Sequence, residues 1–238
     1  MRLAAIQYRP PWGRPDQARD QLMALVDEAL AQGAELVVCP EMAISGYVFA
    51  DAEELRPFAE PARGPTFRAL SDRAKQHGAW LVCGLPEVEG ESLYNSAIVV
   101  GPDGQLADCY RKVLLYELDA GWATAGDRHC SIPLGPERTL VPGICMDLND
   151  NRFALHLAVA RPQVVAFCTN WVDEGHDILP YWRWRLMGWR GWFVAADRWG
   201  EERGTRFYGR SAILAPGGIP VAMAGPSGDQ VLLADADI

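Results

Sequence analysis

This sequence has no apolar run that approaches the roughly 20 residues of a membrane-spanning helix. Met1 to Tyr8 is too short and too interrupted for a secretory signal, since polar residues begin at Gln7. Positive charge is in deficit: 22 Lys and Arg stand against 31 Asp and Glu, a formal net charge of −9. Nucleic acid and anionic membranes both select a basic patch, so neither is an expected partner. Cysteines are scattered, at 39, 83, 109, 130, 145 and 168. A secreted disulfide scaffold would be smaller and denser in Cys. Free thiols in a reducing cytoplasm are expected. There is no CxxC pair and no HExxH, and His129, His156 and His176 lack a partner at ligand spacing, so no metal site is expected. No internal repeat, linker or block of like charge breaks the chain.

What is present is ordinary for a folded protein: 238 residues, 49% hydrophobic and 22% charged. We read one domain, residues 1–238, long enough for a sizeable core. Helical spacing predicts helices over Asp16–Ala31, Pro65–His77, about Arg152–Arg161, and Pro180–Trp192. Strands are expected over Arg2–Tyr8, Glu35–Cys39, Ala79–Leu85, Leu93–Val100, Gln105–Arg111, Thr139–Ile144, Gln163–Cys168 and Phe193–Ala196. Three more are expected over Gly209–Ala215, Ile219–Ala224 and Gln230–Ala236. Val113 to Arg128 has no clear period. Glu35–Cys39 is nearly all apolar, as in a sheet covered on both faces. Gly101-Pro102-Asp103-Gly104 marks a hairpin turn. Helices separate some strands and hairpins join others. The fold class is therefore α/β with mixed sheets: two sheet layers with helices packed outside. Pro142 cannot donate to a ladder, so its strand is short, at an edge, or restarts at Gly143.

Ligands in α/β sheets sit beyond the carboxyl ends of strands. Four such ends carry chemistry here. Glu41 follows Glu35–Cys39, Lys112 follows Gln105–Arg111, Cys145 follows Thr139–Ile144, and Asn170-Trp171 follows Gln163–Cys168. Taken alone, Cys145 would be a small core residue. As neighbours, the four ends supply a base, a cation for an oxyanion, a nucleophile and a substrate wall.

Cys39-Pro40-Glu41, Tyr110-Arg111-Lys112 and Gly143-Ile144-Cys145-Met146-Asp147 resemble the three signatures of the nitrilase, or carbon–nitrogen hydrolase, superfamily. The resemblance runs from Arg2-Leu3-Ala4 to Asp235-Ala236-Asp237, and includes Asn95-Ser96-Ala97, Asp197-Arg198-Trp199-Gly200 and Gly209-Arg210-Ser211. It implies a single-domain, four-layer-forming α-β-β-α sandwich of the nitrilase type with mixed sheets. It also implies a Glu-Lys-Cys triad: Cys145 as nucleophile, Glu41 as general base, and Lys112 with the backbone N–H of Met146 as oxyanion stabilisers. Ammonia would leave, a thioester would form, and water would hydrolyse it without metal or organic cofactor. Leu93-Tyr94-Asn95-Ser96-Ala97 and Gly143–Leu148 look most like the N-terminal amidase branch, which deamidates N-terminal Asn and Gln of peptides. The expected substrate is a small amide or a peptide N-terminus. An ω-amidase, carbamoylase or nitrilase activity, or a catalytically silent scaffold, stand as alternatives.

One departure matters. Many amidases of the superfamily have a second glutamate before a Pro-Gly; here Ala125-Gly126 stands in its place. Asp119, one methylene shorter, is nearest to that acid, with Glu117 as the alternative. The Glu-Asn pair of the later helix is also missing, replaced by Met187-Gly188-Trp189. Asp147 reads as a structural carboxylate that satisfies nearby backbone N–H groups. Cys145 and His156 lack the local signature of a papain-like pair. Asn170, Trp171, Asp173 and Glu174 are candidate substrate contacts. The acidic loop of Asp173, Glu174 and Asp177 is either a solvated surface or a partner for a substrate α-ammonium. Trp182, Leu186, Trp189 and Phe193 share a helical face as core. Trp184 falls on the opposite face, at a subunit interface or the pocket mouth. The superfamily resemblance favours pairing of chains through this side, giving a homodimer or higher oligomer.

Overall fold

The strand Arg2–Gln7 (β1) buries both of its faces, as does its parallel neighbour Leu36–Val38. The computed structural model describes residues 1–238. After β1 come α1 (Pro15–Ala31), β2 (Leu36–Val38), the one-turn helix α2 (Ala52–Leu55), α3 (Pro65–His77), β3 (Trp80–Glu89), β4 (Ser92–Val100), β5 (Leu106–Arg111) and the one-turn α4 (Glu117–Ala120). The second half holds β6 (Ile132–Gly135), β7 (Arg138–Ile144), α5 (Asn151–Ala160), β8 (Val164–Thr169), α6 (Leu179–Arg185), β9 (Trp192–Asp197), β10 (Trp199–Glu202), β11 (Thr205–Tyr208), β12 (Ala212–Ala215), β13 (Ile219–Met223) and β14 (Gln230–Asp235). Two six-stranded mixed sheets result, in the orders β14-β1-β2-β3-β4-β5 and β13-β12-β9-β8-β7-β6, with β10-β11 as a separate hairpin.

Strand periodicity assigns the layers. Leu3, Ala5, Leu36 and Val38 meet Leu140, Ile144, Val164 and Ala166 in a core between the sheets. The alternate residues Ala4, Ile6, Val37 and Cys39 pack under α1 and α3 through Leu22, Val26, Phe67 and Leu70. Val165, Phe167 and Phe193 pack under α5 and α6 through Phe153, Leu157 and Trp182. A strand buried on both faces has no polar side to show, which is why β2 and β8 read as unbroken apolar runs. The result is the α-β-β-α sandwich. The helices carry their own stops. Pro15 and Pro65 start α1 and α3, the left-handed Gly78 ends α3, and the Asp150 carboxylate caps α5 by accepting from Arg152 N–H.

One open expectation, an edge position for Pro142, is met, and two need correction. Pro142 lies inside an unbroken β7 that pairs with β8 as far as Ile144. It is tolerated because β6 ends opposite Leu140, so this stretch of β7 has a neighbour on one side only. The helix expected to reach Trp192 stops at Arg185. Gly188 follows with φ +95°, a conformation that no helix continues through. Trp182, Leu186 and Phe193 are still buried together, the last of them from β9. The irregular segment after Val113 contains one ordered turn, α4, and β6 and the β10-β11 hairpin are strands the pattern did not predict.

Candidate active site

β1, β2 and β3 run parallel, as do β7, β8 and β9. Their carboxyl ends lie on one edge of each sheet, and that edge collects the four chemical groups. Glu41 sits beyond β2, where the chain passes over Gly84 of β3. Gly84 N–H donates to Pro40 O at 3.1 Å and its carbonyl accepts from Ala43 N–H at 2.9 Å. A Cβ on Gly84 would stand 2.5 Å from Glu41 Cα, so only glycine admits this approach. Lys112 directly follows β5, with its N–H bonded to Asn95 O at 2.8 Å.

Glu41, Lys112, Asp119 and Asn95 are all fully buried. Lys112 Nζ donates to Glu41 Oε1 at 2.8 Å and also to Asp119 Oδ2. Asn95 Nδ2 donates to Glu41 Oε1 at 2.6 Å and to Asp119 Oδ1 at 3.3 Å. The other Glu41 oxygen accepts from Asn170 N–H at 2.8 Å. Asp119 also accepts from Tyr116 N–H at 3.2 Å. The structure therefore brings Asp119 to the centre and leaves Glu117 exposed on the same turn.

Cys145 opens a 3-10 turn, Cys145–Asn149, at the end of β7, with a φ of +42°. For a residue with a Cβ this is a strained conformation of the kind found where a side chain is held out at a functional turn. Met42, next to Glu41, shares it, with φ +50°. Asp147 fixes the turn. Its carboxylate accepts from Ile144 N–H at 3.0 Å, Val113 and Leu114 N–H at 2.9 Å each, and the Tyr110 hydroxyl at 2.7 Å. It ties the Cys145 turn to the residues after Lys112. His129 stands behind Tyr110, 3.0 Å from its hydroxyl and 3.3 Å from Asp150. His156 bonds Ser131 at 2.9 Å.

The electrostatics follow from burial. Desolvation pushes the Cys145 thiol well above its ordinary range, and Glu41 pushes it further; Lys112 and the nearby Thr169 hydroxyl act against both. Burial also raises Glu41, and Asp119 adds to this while Lys112 opposes it. Burial alone would lower Lys112, but Asp119 and Glu41 outweigh it and hold the ammonium charged. A neutral thiol thus faces a carboxylate whose proton affinity is raised, beside a cation fixed between two anions.

A cavity of about 380 Å³ opens over Cys145. Trp171, Tyr116 and Tyr181 give it aromatic walls, and Met146, Asn149 and Asn170 complete its inner part. Glu174, His176 and Asp177 stand in its wall, and no Lys or Arg lines it. Of the expected substrate contacts, Asn170, Trp171 and Glu174 line the cavity. Asp173 does not, because its carboxylate turns back to accept from Gly175 N–H at 2.9 Å. Sequence reasoning missed Tyr116, Tyr181, Tyr47 and the role of Asn95. A buried Asn in the middle of an apolar strand was the one available signal.

This fold and this edge of carboxylate, ammonium and thiol define a carbon–nitrogen hydrolase. The family model described as carbon-nitrogen hydrolase matches residues 2–238, and the chain belongs to that family, whose members act on C–N bonds. It is 34% identical to a nitrilase from Pyrococcus abyssi over all of this chain and 90% of that protein. It is 27% identical to a protein N-terminal amidase from Schizosaccharomyces pombe, over 90% of this chain and 91% of the relative. Among solved structures, an amidase from Nesterenkonia sp. superposes with a TM-score of 0.85 at 24% identity, covering 99% of this chain and 90% of that one, which shows a shared fold.

Proposed function

We propose that the chain is an amidohydrolase that releases ammonia from a primary carboxamide whose remainder is neutral or positively charged, N-terminal Asn and Gln of peptides included. The observation that carries the substrate class is the cavity wall: Glu174 and Asp177 stand in it, and no Lys or Arg does. An amide bearing a carboxylate, as the ω-amidase and carbamoylase alternatives require, would enter with like charge and no cation to meet it. An α-ammonium would find two carboxylates.

In this reading Cys145 Sγ attacks the amide carbon while Glu41 accepts the thiol proton. The transfer keeps the charge of the dry centre constant, whereas a thiolate beside Glu41 and Asp119 would add a third buried anion. Lys112 has two of its three N–H groups committed, to Glu41 and Asp119, and one left for the carbonyl oxygen. Met146 N–H, first in the turn after Cys145, is the second donor. Glu41 returns its proton to the departing ammonia, then activates water for hydrolysis of the thioester. Covalent adducts at the active site cysteine are described for the Nesterenkonia amidase, and the same chemistry is proposed for Cys145.

The test is ammonia release from Asn- and Gln-initiated peptides, aliphatic amides, free glutamine, carbamoyl amino acids and nitriles. Peptides and neutral amides are expected to turn over. Cys145→Ala is expected to lose activity by more than about 10³-fold. Retained turnover in that variant removes the mechanism, and preference for carboxylate-bearing amides removes the substrate class.

A further inference from the structure

Eleven buried side-chain polar atoms in the molecule have no protein partner, and five of them surround Glu41: Tyr47 Oη, Asn95 Oδ1, Thr169 Oγ1, and both amide atoms of Asn170. Unpaired buried polar atoms are expensive, and native folds keep them where they serve a purpose. Tyr47 and Thr169 are the two among them with both a mobile proton and lone pairs, and the Thr169 hydroxyl is the one that acts on the Cys145 thiol, which leaves Tyr47. We propose that its hydroxyl holds the water that hydrolyses the thioester, an inference that rests on the amidohydrolase reading.

The placement of Tyr47 is built, not incidental. Glu202 Oε1 accepts from Tyr47 and Val48 N–H at 2.7 Å each, and Glu202 Oε2 accepts from the buried Arg198 at 2.8 Å. Gly46 makes room: with φ +85°, a Cβ there would lie 2.7 Å from Glu202 Oε2. Phe207 meets the Tyr47 ring edge-on at 6.0 Å and stacks under Arg198 at 4.2 Å. Lys112 Nζ lies 5.8 Å from the ring centre. The phenol is fully buried. Burial raises its titration, and Asp119, by charge and by hydrogen bonding, Glu41 and Cys145 raise it further, so it stays protonated beside all three, with its proton directed to Asp119 and its lone pairs free to accept.

Asp119 already accepts from Lys112, Tyr116 N–H and Asn95, which leaves little of its carboxylate for a water. Tyr47 completes the arrangement. In deacylation the water gives one proton to Glu41, and its second hydrogen is held by Tyr47 Oη. Its oxygen then bonds to the thioester carbon, the C–S bond breaks, and Glu41 returns the proton to sulfur. The products are a carboxylic acid and the free thiol.

Tyr47→Phe keeps the ring against Phe207 and Lys112 and removes only the hydroxyl. The probe is the better substrate of a Gln-initiated dipeptide and propionamide. The expected variant shows a burst of one ammonia per site, an acyl adduct on Cys145 by intact mass, and kcat lowered about 10²-fold with KM falling in parallel. Hydroxylamine, an external nucleophile, restores turnover, and the melting temperature does not fall. Unchanged kcat overturns the proposal. So does slowed first ammonia release without an accumulated thioester, which would place the hydroxyl in acylation or in structure. Wild-type protein that never acylates at Cys145 removes the parent reading instead.

Discussion

Lys112 controls the centre because its ammonium has no route to water. A buried cation is stable only when paired, and here two carboxylates hold it, Glu41 and Asp119. Burial raises the Cys145 thiol, and the arrangement leaves one anion in excess, so the Lys112 charge does not reverse the shift as a lone cation would. The consequence is a pH profile. Hydrolysis needs Glu41 ionised and Cys145 protonated at the start. Glu41 is raised above 4.5, so kcat/KM is expected to fall on the acid side with a midpoint above 4.5. Cys145 is raised well above 9.0 and Lys112 above 10.5, so no basic limb is expected before about pH 9. A kcat/KM profile of wild type on propionamide, which has no titrating group, from pH 4 to 10 checks this. A decline between pH 7 and 9 would mean that the thiolate forms before substrate arrives, and an acid limb below 4.5 would mean that Glu41 is not raised.

At the scale of elements, the site depends on how closely β3 lets the chain after β2 approach. Gly84→Ala places a methyl group 2.5 Å from Glu41 Cα and 2.6 Å from Pro40 O, both backbone atoms that cannot rotate away. About 3 kcal/mol of destabilisation is expected, with a melting temperature several degrees lower and kcat reduced with it, since Glu41 moves off Lys112. Thermal denaturation and ammonia release on the purified variant measure both, and a variant that melts and turns over like wild type would show that the backbone has slack there. The same elements show what was legible beforehand. β2 and β8 were readable because they are buried along their whole length, α3 because Phe67, Leu70 and Ala74 recur at helical spacing between Pro65 and Gly78. The triad was readable because each member sits at the end of such an element. The β10-β11 hairpin was not, because Trp199–Glu202 and Thr205–Tyr208 have neither alternation nor an apolar run. β6 was hidden by Pro133 and Gly135. Asn95 and Tyr47 reach the centre through tertiary contact alone, and no spacing in the chain relates them to Glu41. Asp119 and Glu117 differ only in which way a single turn of α4 faces, which no local pattern decides.

The whole molecule carries a net charge of −9, yet the two helices over the second sheet, α5 and α6, contain no Asp or Glu. Large apolar residues stand outward among them: Leu155 and Val159 are 64% and 77% exposed, and Trp184 and Met187, on and just after α6, are 57% and 77% exposed, with Arg152 and Arg183 exposed beside them. Arg185 bridges the two helices by bonding Leu148 O at 2.6 Å and reaching Asn151. Large exposed apolar side chains mark a contact surface, and helices without acidic side chains let two strongly acidic copies meet with little carboxylate repulsion. A second copy of the chain is the expected occupant. Light scattering after size exclusion should give twice the mass of one chain at micromolar concentration. Salt should strengthen the pair, since it screens the remaining negative charge and leaves the apolar contact intact. Leu155→Glu with Trp184→Glu should yield monomers that melt near the wild-type temperature, because neither side chain belongs to the core beneath. A wild type that runs as one chain at tens of micromolar, or a double variant with unchanged mass, would leave this face without a partner of its own kind.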